Sequence, residues 1–218
     1  MLKTLFITGI LLGFAAVVGA AGFYPWVDHP RVVSRTQVLP NGGRREDFIV
    51  RLPVDHVASL GTEDFGLGSA AFPAALELPD ELATVPLQLD HFKVRDAGGN
   101  VIGIASRHAL VIGSSTAVAW SITVPSRGAI WLVGAMQPSQ LEASFATIGY
   151  QPGESWTGEL DVSLDGGPEG TSGRVAGGSD EFKALGGSYV ERWHITGIGD
   201  TGELRGTIEL NTTTYLQR

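Results

Sequence analysis

From Thr4 to Val27 the chain carries no charged residue, and this run closes on Phe23-Tyr24-Pro25-Trp26. Roughly 20 apolar residues cross a bilayer as a helix, so residues 1–27 are predicted to form a transmembrane signal anchor. Lys3 precedes the run, and Asp28 and Arg31 follow it. Tyr and Trp at its far end suit the water–lipid boundary, because their rings are apolar while the OH or NH wants a polar partner. Only Met1, Leu2 and Lys3 lie ahead of the run. The N-terminus is therefore expected to stay inside and the main domain to sit outside, periplasmic or otherwise extracytoplasmic, tethered to the inner membrane by a single pass. Membrane lipid is then the first expected partner, through residues 4–27. A cleaved signal peptide is the rival reading: Val18-Gly19-Ala20 offers small residues to a peptidase, and Thr4–Gly19 has the length of an h-region. Gly9 and Gly13 are spaced to let two helices approach closely, though glycine is common in membrane helices for other reasons too.

Composition narrows the rest. Roughly 190 residues follow the anchor, enough for one domain with a real core. Cysteine is absent, which excludes disulfides, thiolate metal sites and cysteine nucleophiles. A formal net charge of −8, with scattered Lys and Arg, argues against nucleic acid as a partner. Thirty glycines favour many turns and short strands over long helices.

The order along the chain is that of an antiparallel all-β protein. Residues 28–46 read as a stalk broken by Pro30, Pro40 and Asn41-Gly42-Gly43, and 47–218 as a β-barrel domain. Asp47 to Val54 alternates as a strand, with Pro53 at its rim. Ser59 to Pro86 reads as a long connection with a helical turn near Pro79–Leu82. Leu87–Asp96 and Val101–Ile112 form a hairpin around Ala97-Gly98-Gly99-Asn100. On the return strand Ile102, Ile104, Ser106, His108, Leu110 and Ile112 share a face. Leu87 and Leu89 fall out of phase with Phe92 and Val94, which predicts a bulge near Asp90-His91. Further strands are expected at Ala117–Val124, Ala129–Ala135, Glu159–Leu164, Tyr189–Thr196 and Gly202–Tyr215, with a short helix between Pro138 and Gly149. About eight strands linked mostly as hairpins favour closure into a single barrel, which removes open edges.

Glycine-centred turns carry a family likeness. Gly177-Gly178-Ser179-Asp180-Glu181-Phe182, then Gly186-Gly187-Ser188-Tyr189 and Gly202-Glu203-Leu204-Arg205-Gly206-Thr207, resemble the C-terminal half of allene-oxide-cyclase-like and dirigent-like barrels. Val94-Arg95-Asp96-Ala97-Gly98-Gly99-Asn100-Val101-Ile102-Gly103 resembles their early hairpin. The likeness covers Leu87 to Leu210, with Met136–Trp156 as an insertion and residues 28–86 without counterpart. It implies a small antiparallel barrel with a largely apolar cavity. It implies neither cyclase activity nor stereochemical guidance, because the family's functional residues have no position-by-position match here.

Chemistry-bearing residues are few. Three of the five histidines follow Asp directly, at Asp28-His29, Asp55-His56 and Asp90-His91. Adjacent strand residues point to opposite faces, so no doublet is expected to cooperate within itself, and no metal or other cofactor is expected. Asp161–Gly173 is acidic and Gly-rich but lacks ordered calcium-loop spacing. Asn211-Thr212-Thr213 fits an N-glycosylation acceptor. No nucleophile elbow, phosphate loop or dinucleotide fingerprint occurs. The candidate cavity residues are His108, Trp120, Tyr189, Glu191 and Trp193. Tyr189, Glu191, Trp193 and Ile195 share one strand face. If that face is inward, Glu191 is a carboxyl among aromatics; burial disfavours the charged form, which suits a proton carrier. The plainer alternative has Glu191 facing water or paired with an Arg. Two functions follow: a tethered barrel that binds an apolar small molecule or serves as an accessory subunit beside a membrane protein partner, or a cavity-based isomerase or cyclase using a buried carboxylate with Glu191 or His108 as its catalytic group.

Overall fold

The computed structural model describes residues 36–39, 43–61, 87–112, 115–136, 138–164 and 173–217. The predicted anchor, the turn near Pro79 and most of the acidic loop after Asp161 lie outside them. Among the described residues no helix is long and apolar enough to cross a membrane.

The chain forms strands β1 (Gln37–Val38), β2 (Arg44–Leu52), β3 (His56–Gly61), β4 (Leu87–Arg95), β5 (Val101–Ile112), β6 (Ser115–Val124) and β7 (Gly128–Met136). Helix α1 (Pro138–Thr147) and strands β8 (Trp156–Leu164), β9 (Gly173–Gly178), β10 (Leu185–Ile198) and β11 (Leu204–Leu216) follow. Every pairing is antiparallel. Eight strands close a barrel in the order β2-β11-β10-β9-β7-β6-β5-β4, and β4 returns to β2. The other three lie along edges of these: β1 on β2, β3 on β4 and β8 on β10. β2 begins at Arg44, inside the stretch read as stalk.

Inward side chains form one core. Phe48, Phe92, Trp120, Ile122, Trp193 and Ile208 are all 2 % exposed or less. Phe145 and Ile148, at and just after the end of α1, pack against it half-buried. Closure itself is thin, since β2 and β4 meet only at Ile49 and Arg95. A polar clasp reinforces that seam. Arg95 donates from Nε to Asp55 Oδ2 at 2.8 Å and from Nη2 to Oδ1 at 2.7 Å. The Arg51 amide donates to the same carboxylate at 2.9 Å. Burial alone would raise the Asp55 carboxyl, but the hydrogen bonds from Arg95 and Arg51 and the charges of Arg95 and Lys93 outweigh it and hold it below its ordinary value.

Two sequence readings are corrected here. The hairpin's irregularity lies not at Asp90-His91 but on β5: Val94 pairs with Gly103 and Arg95 with Val101, leaving Ile102 as the extra residue. A Cβ on Gly103 would lie 2.1 Å from the Thr123 carbonyl oxygen, so only glycine fits this bend. The bulge shifts the phase of β5. Ile102 points inward, while Ile104 and His108 are exposed and Ala105, Arg107 and Ala109 are buried. The Ile102–Ile112 face therefore does not exist as one surface. On β4 the inward set is Gln88, Asp90, Phe92 and Val94 without a break. The apolar pattern misled because two of those four are polar.

Candidate functional site

The barrel interior places charged and aromatic groups from three walls together. Asp90, Arg107 and Trp120 are neighbours in register across β4, β5 and β6. β10 supplies Tyr189, Glu191 and Trp193 at alternate positions, all buried. The predicted aromatic set is thus assembled, with Glu191 at its centre and 3 % exposed. Trp193 donates its indole N–H to Glu191 Oε1 at 2.8 Å, and Trp120 donates to Oε2 at 2.9 Å. Arg107 Nε lies 3.6 Å from Oε1. The guanidinium sits 5.9 Å from the Trp120 ring and 5.7 Å from the Trp193 ring, within cation–π range of both. Burial pushes the Tyr189 phenol far above its ordinary value, and the Glu191 charge adds to this while Arg107 opposes it. Both expectations for Glu191 hold in part: it is buried among aromatics, and it is paired with an arginine.

A second buried carboxylate, Asp90, is the register partner of Arg107 on β4. Its Oδ1 accepts from Ser59 Oγ at 2.7 Å and from Gln88 Nε2 at 2.9 Å, and Gln88 also donates to Ser59 Oγ. His56 Nε2 approaches the same oxygen at 3.3 Å, and its ring stacks on Phe92 at 5.0 Å. Asp90 Oδ2 has no hydrogen-bond partner, and the His56 Nε2 approach is not aligned as a hydrogen bond. Desolvation would raise the Asp90 carboxyl. The contacts with His56, Ser59 and Gln88 and the charge of Arg107 outweigh it, so the group is held below its ordinary value. Sequence reasoning missed Arg107, Asp90 and His56. The Asp-His doublets do cooperate, but across strands: His56 of one meets Asp90 of the next.

His108 does not join this group. It lies on the outside of β5, where partial desolvation and the charge of nearby His91 push it below its usual value. Asn211 sits within β11, and the amide nitrogen a glycan would occupy donates to Asp47 Oδ1 at 2.9 Å. Among the described residues no three His, Asp or Glu side chains converge to hold a metal ion. Two grooves mark the outer surface. One of about 510 Å³ is lined by Thr36, Gln37, Arg45 and Asp47. The other, of about 490 Å³, runs along Asp161, Ser163, Arg192, His194 and Glu209. In the latter His194 Nδ1 lies 2.7 Å from Asp161 Oδ1, and that hydrogen bond, with the charges of Asp161, Glu159 and Glu209, raises the imidazole against a small desolvation effect.

Comparison of the chain with protein-family models and with curated proteins gives no match.

Proposed function

We propose that this chain is a membrane-tethered, extracytoplasmic β-barrel that acts by binding, as an accessory subunit of an envelope complex, rather than by catalysis. The observation that carries this reading is the engagement of Glu191. Both its oxygens accept indole N–H groups, and Arg107 lies within cation–π range of the same two rings. A carboxylate clamped this way has little freedom to exchange a proton with a substrate. An apolar ligand at Trp120, Tyr189 and Trp193 would displace side chains that already satisfy buried charges, so the lumen suits a scaffold better than a carrier. The tether rests on the uncharged Thr4–Val27 run. Kinship with the allene-oxide-cyclase-like and dirigent-like barrels remains part of the proposal, supported by eight-stranded closure and the glycine-centred turns. Native mass spectrometry of the full chain, extracted gently in detergent, tests the reading. A stoichiometric protein partner is the expected result. A one-to-one apolar small molecule would move the assignment to a carrier, and an empty monomer overturns both.

One observation favours a second reading, an isomerase or cyclase. Asp90 Oδ2 is a buried acceptor with nothing bonded to it, beside the cation Arg107. Asp90, held low, would act as a base and not as an acid. Turnover of any co-purified small molecule, lost in Asp90→Asn with the fold intact, would establish it.

A further inference from the structure

The two outer walls of the barrel differ in kind. Strands β4, β5, β6 and β7 contain a single carboxylate, Asp90, and it points inward. Their outer surface therefore carries no anion, in a chain whose formal net charge is −8. It exposes large apolar side chains instead: Val101 is 50 % exposed, Ile104 57 % and Trp131 45 %, with Val57 of adjoining β3 at 52 %. The cation Lys93 stands among them, paired in register with Ile104, and Ile104 is paired in turn with exposed Thr123. The opposite wall, built from β8, β10, β11 and β2, presents Glu159, Asp161, Glu209 and Asp47 outward among Arg192, Arg205 and Arg51.

We propose that the β4–β7 wall lies against the anionic surface of the membrane to which the chain is tethered. This rests on the tethered reading above. Two arguments select lipid as the occupant. The first is charge. Among the described residues this wall presents a lysine and no carboxylate, so an anionic headgroup layer does not repel it, and β-branched side chains gain by leaving water there. The second is reach. Residues 28–35 separate the apolar run from the first described residue, and eight residues extend no more than about 28 Å. β11 takes one edge of β2, so β1 and β4 share the other, and the first described strand lies at the seam where this wall begins. Barrel curvature limits contact to a strip centred on Ile104, with Lys93 and Thr123 on its flanks.

The absence of cysteine permits a direct test. Ile104→Cys and, on the acidic wall, Thr207→Cys are each labelled with an environment-sensitive fluorophore in the full chain and reconstituted into vesicles of phosphatidylcholine with phosphatidylglycerol. The expected result is blue-shifted emission at 104, quenched by a lipid-borne quencher, and water-like emission at 207. Adding Lys93→Glu, or using phosphatidylcholine alone, should reduce the quenched fraction at 104 several-fold. Water-like emission at both positions, in chain that stays with the vesicles through an alkaline wash, overturns the wall assignment and leaves the tether standing. Chain that separates from the vesicles overturns both. A blue shift at 104 that persists in detergent and grows with protein concentration assigns the wall to a second copy of this chain and overturns the lipid assignment.

Discussion

Two buried arginines, Arg127 and Arg107, resolve the same electrostatic problem differently. Arg127, in the β6–β7 turn, closes one end of the barrel. It donates to Glu46 from Nη1 at 2.5 Å and Nη2 at 3.1 Å, and to Glu181 from Nε at 3.2 Å, with the Phe182 ring 4.9 Å away. Desolvation would lower this guanidinium; the hydrogen bonds and charges of Glu46 and Glu181 outweigh it and raise it. Arg107, at the centre, has a longer 3.6 Å contact with Glu191 and two indole faces. Nearby Asp90 keeps an oxygen without a partner. The end cap is a completed bidentate clamp. The centre is held by longer and less complete contacts, with one Asp90 oxygen left without a hydrogen bond.

That contrast can be broken by mutation. Arg127→Met removes the bidentate cation from buried Glu46, so it should cost the most, about 3–5 kcal/mol by urea denaturation. A loss below 1 kcal/mol would show that the cap does not hold the barrel end. Glu191→Gln keeps one acceptor for two indole donors and removes the anion beside Arg107. It should cost about 2–3 kcal/mol and shift tryptophan emission. Asp90→Asn preserves an oxygen for Ser59 and Gln88, and should cost only about 1 kcal/mol. If it proves as damaging as Arg127→Met, the centre is as tightly committed as the cap.

Acid sharpens the same comparison. Asp55 and Asp90 are both held below the ordinary Asp value of 3.8, so in that range the folded chain binds fewer protons than the unfolded chain. Their contribution should be complete above pH 3.8 and be lost as the pH falls through their folded values. The double variant Asp55→Asn/Asp90→Asn should flatten the acid limb of a stability–pH curve; an unchanged slope would remove both carboxylates from the account. The smallest effect is expected outside. The raised His194 favours folding below the unfolded histidine value and loses that contribution as pH rises through its folded one. Asp161→Asn should lower the His194 titration midpoint seen by NMR and change stability by no more than about 0.5 kcal/mol.

Much of the scaffold was legible in residue alternation. The β10 face of Tyr189, Glu191, Trp193 and Ile195 followed from period two alone, and so did Val118, Trp120 and Ile122 on β6. The site was only half legible. Arg107 was hidden because one extra residue at Ile102 inverts the faces of β5, which no local signal marks except Gly103. Asp90 was hidden because an inward carboxylate looks, in sequence, like a solvent-facing one. His56 was set aside because its own Asp neighbour points elsewhere, and its actual carboxylate is 34 positions away in the chain.

By itself the sequence determined an all-β chain, the hairpins from β4 to β7 and from β10 to β11, the aromatic face of β10 and an uncharged leading run. These are local properties, set by side-chain period, turn residues and net polarity within a few positions. Only the tertiary structure decided that β2 and β4 meet at one rung, that Arg107 comes within cation–π range of two indoles, and that Asp90, the single carboxylate of β4–β7, faces inward. Those depend on register, and register is fixed by bulges and by contacts between residues far apart in the chain.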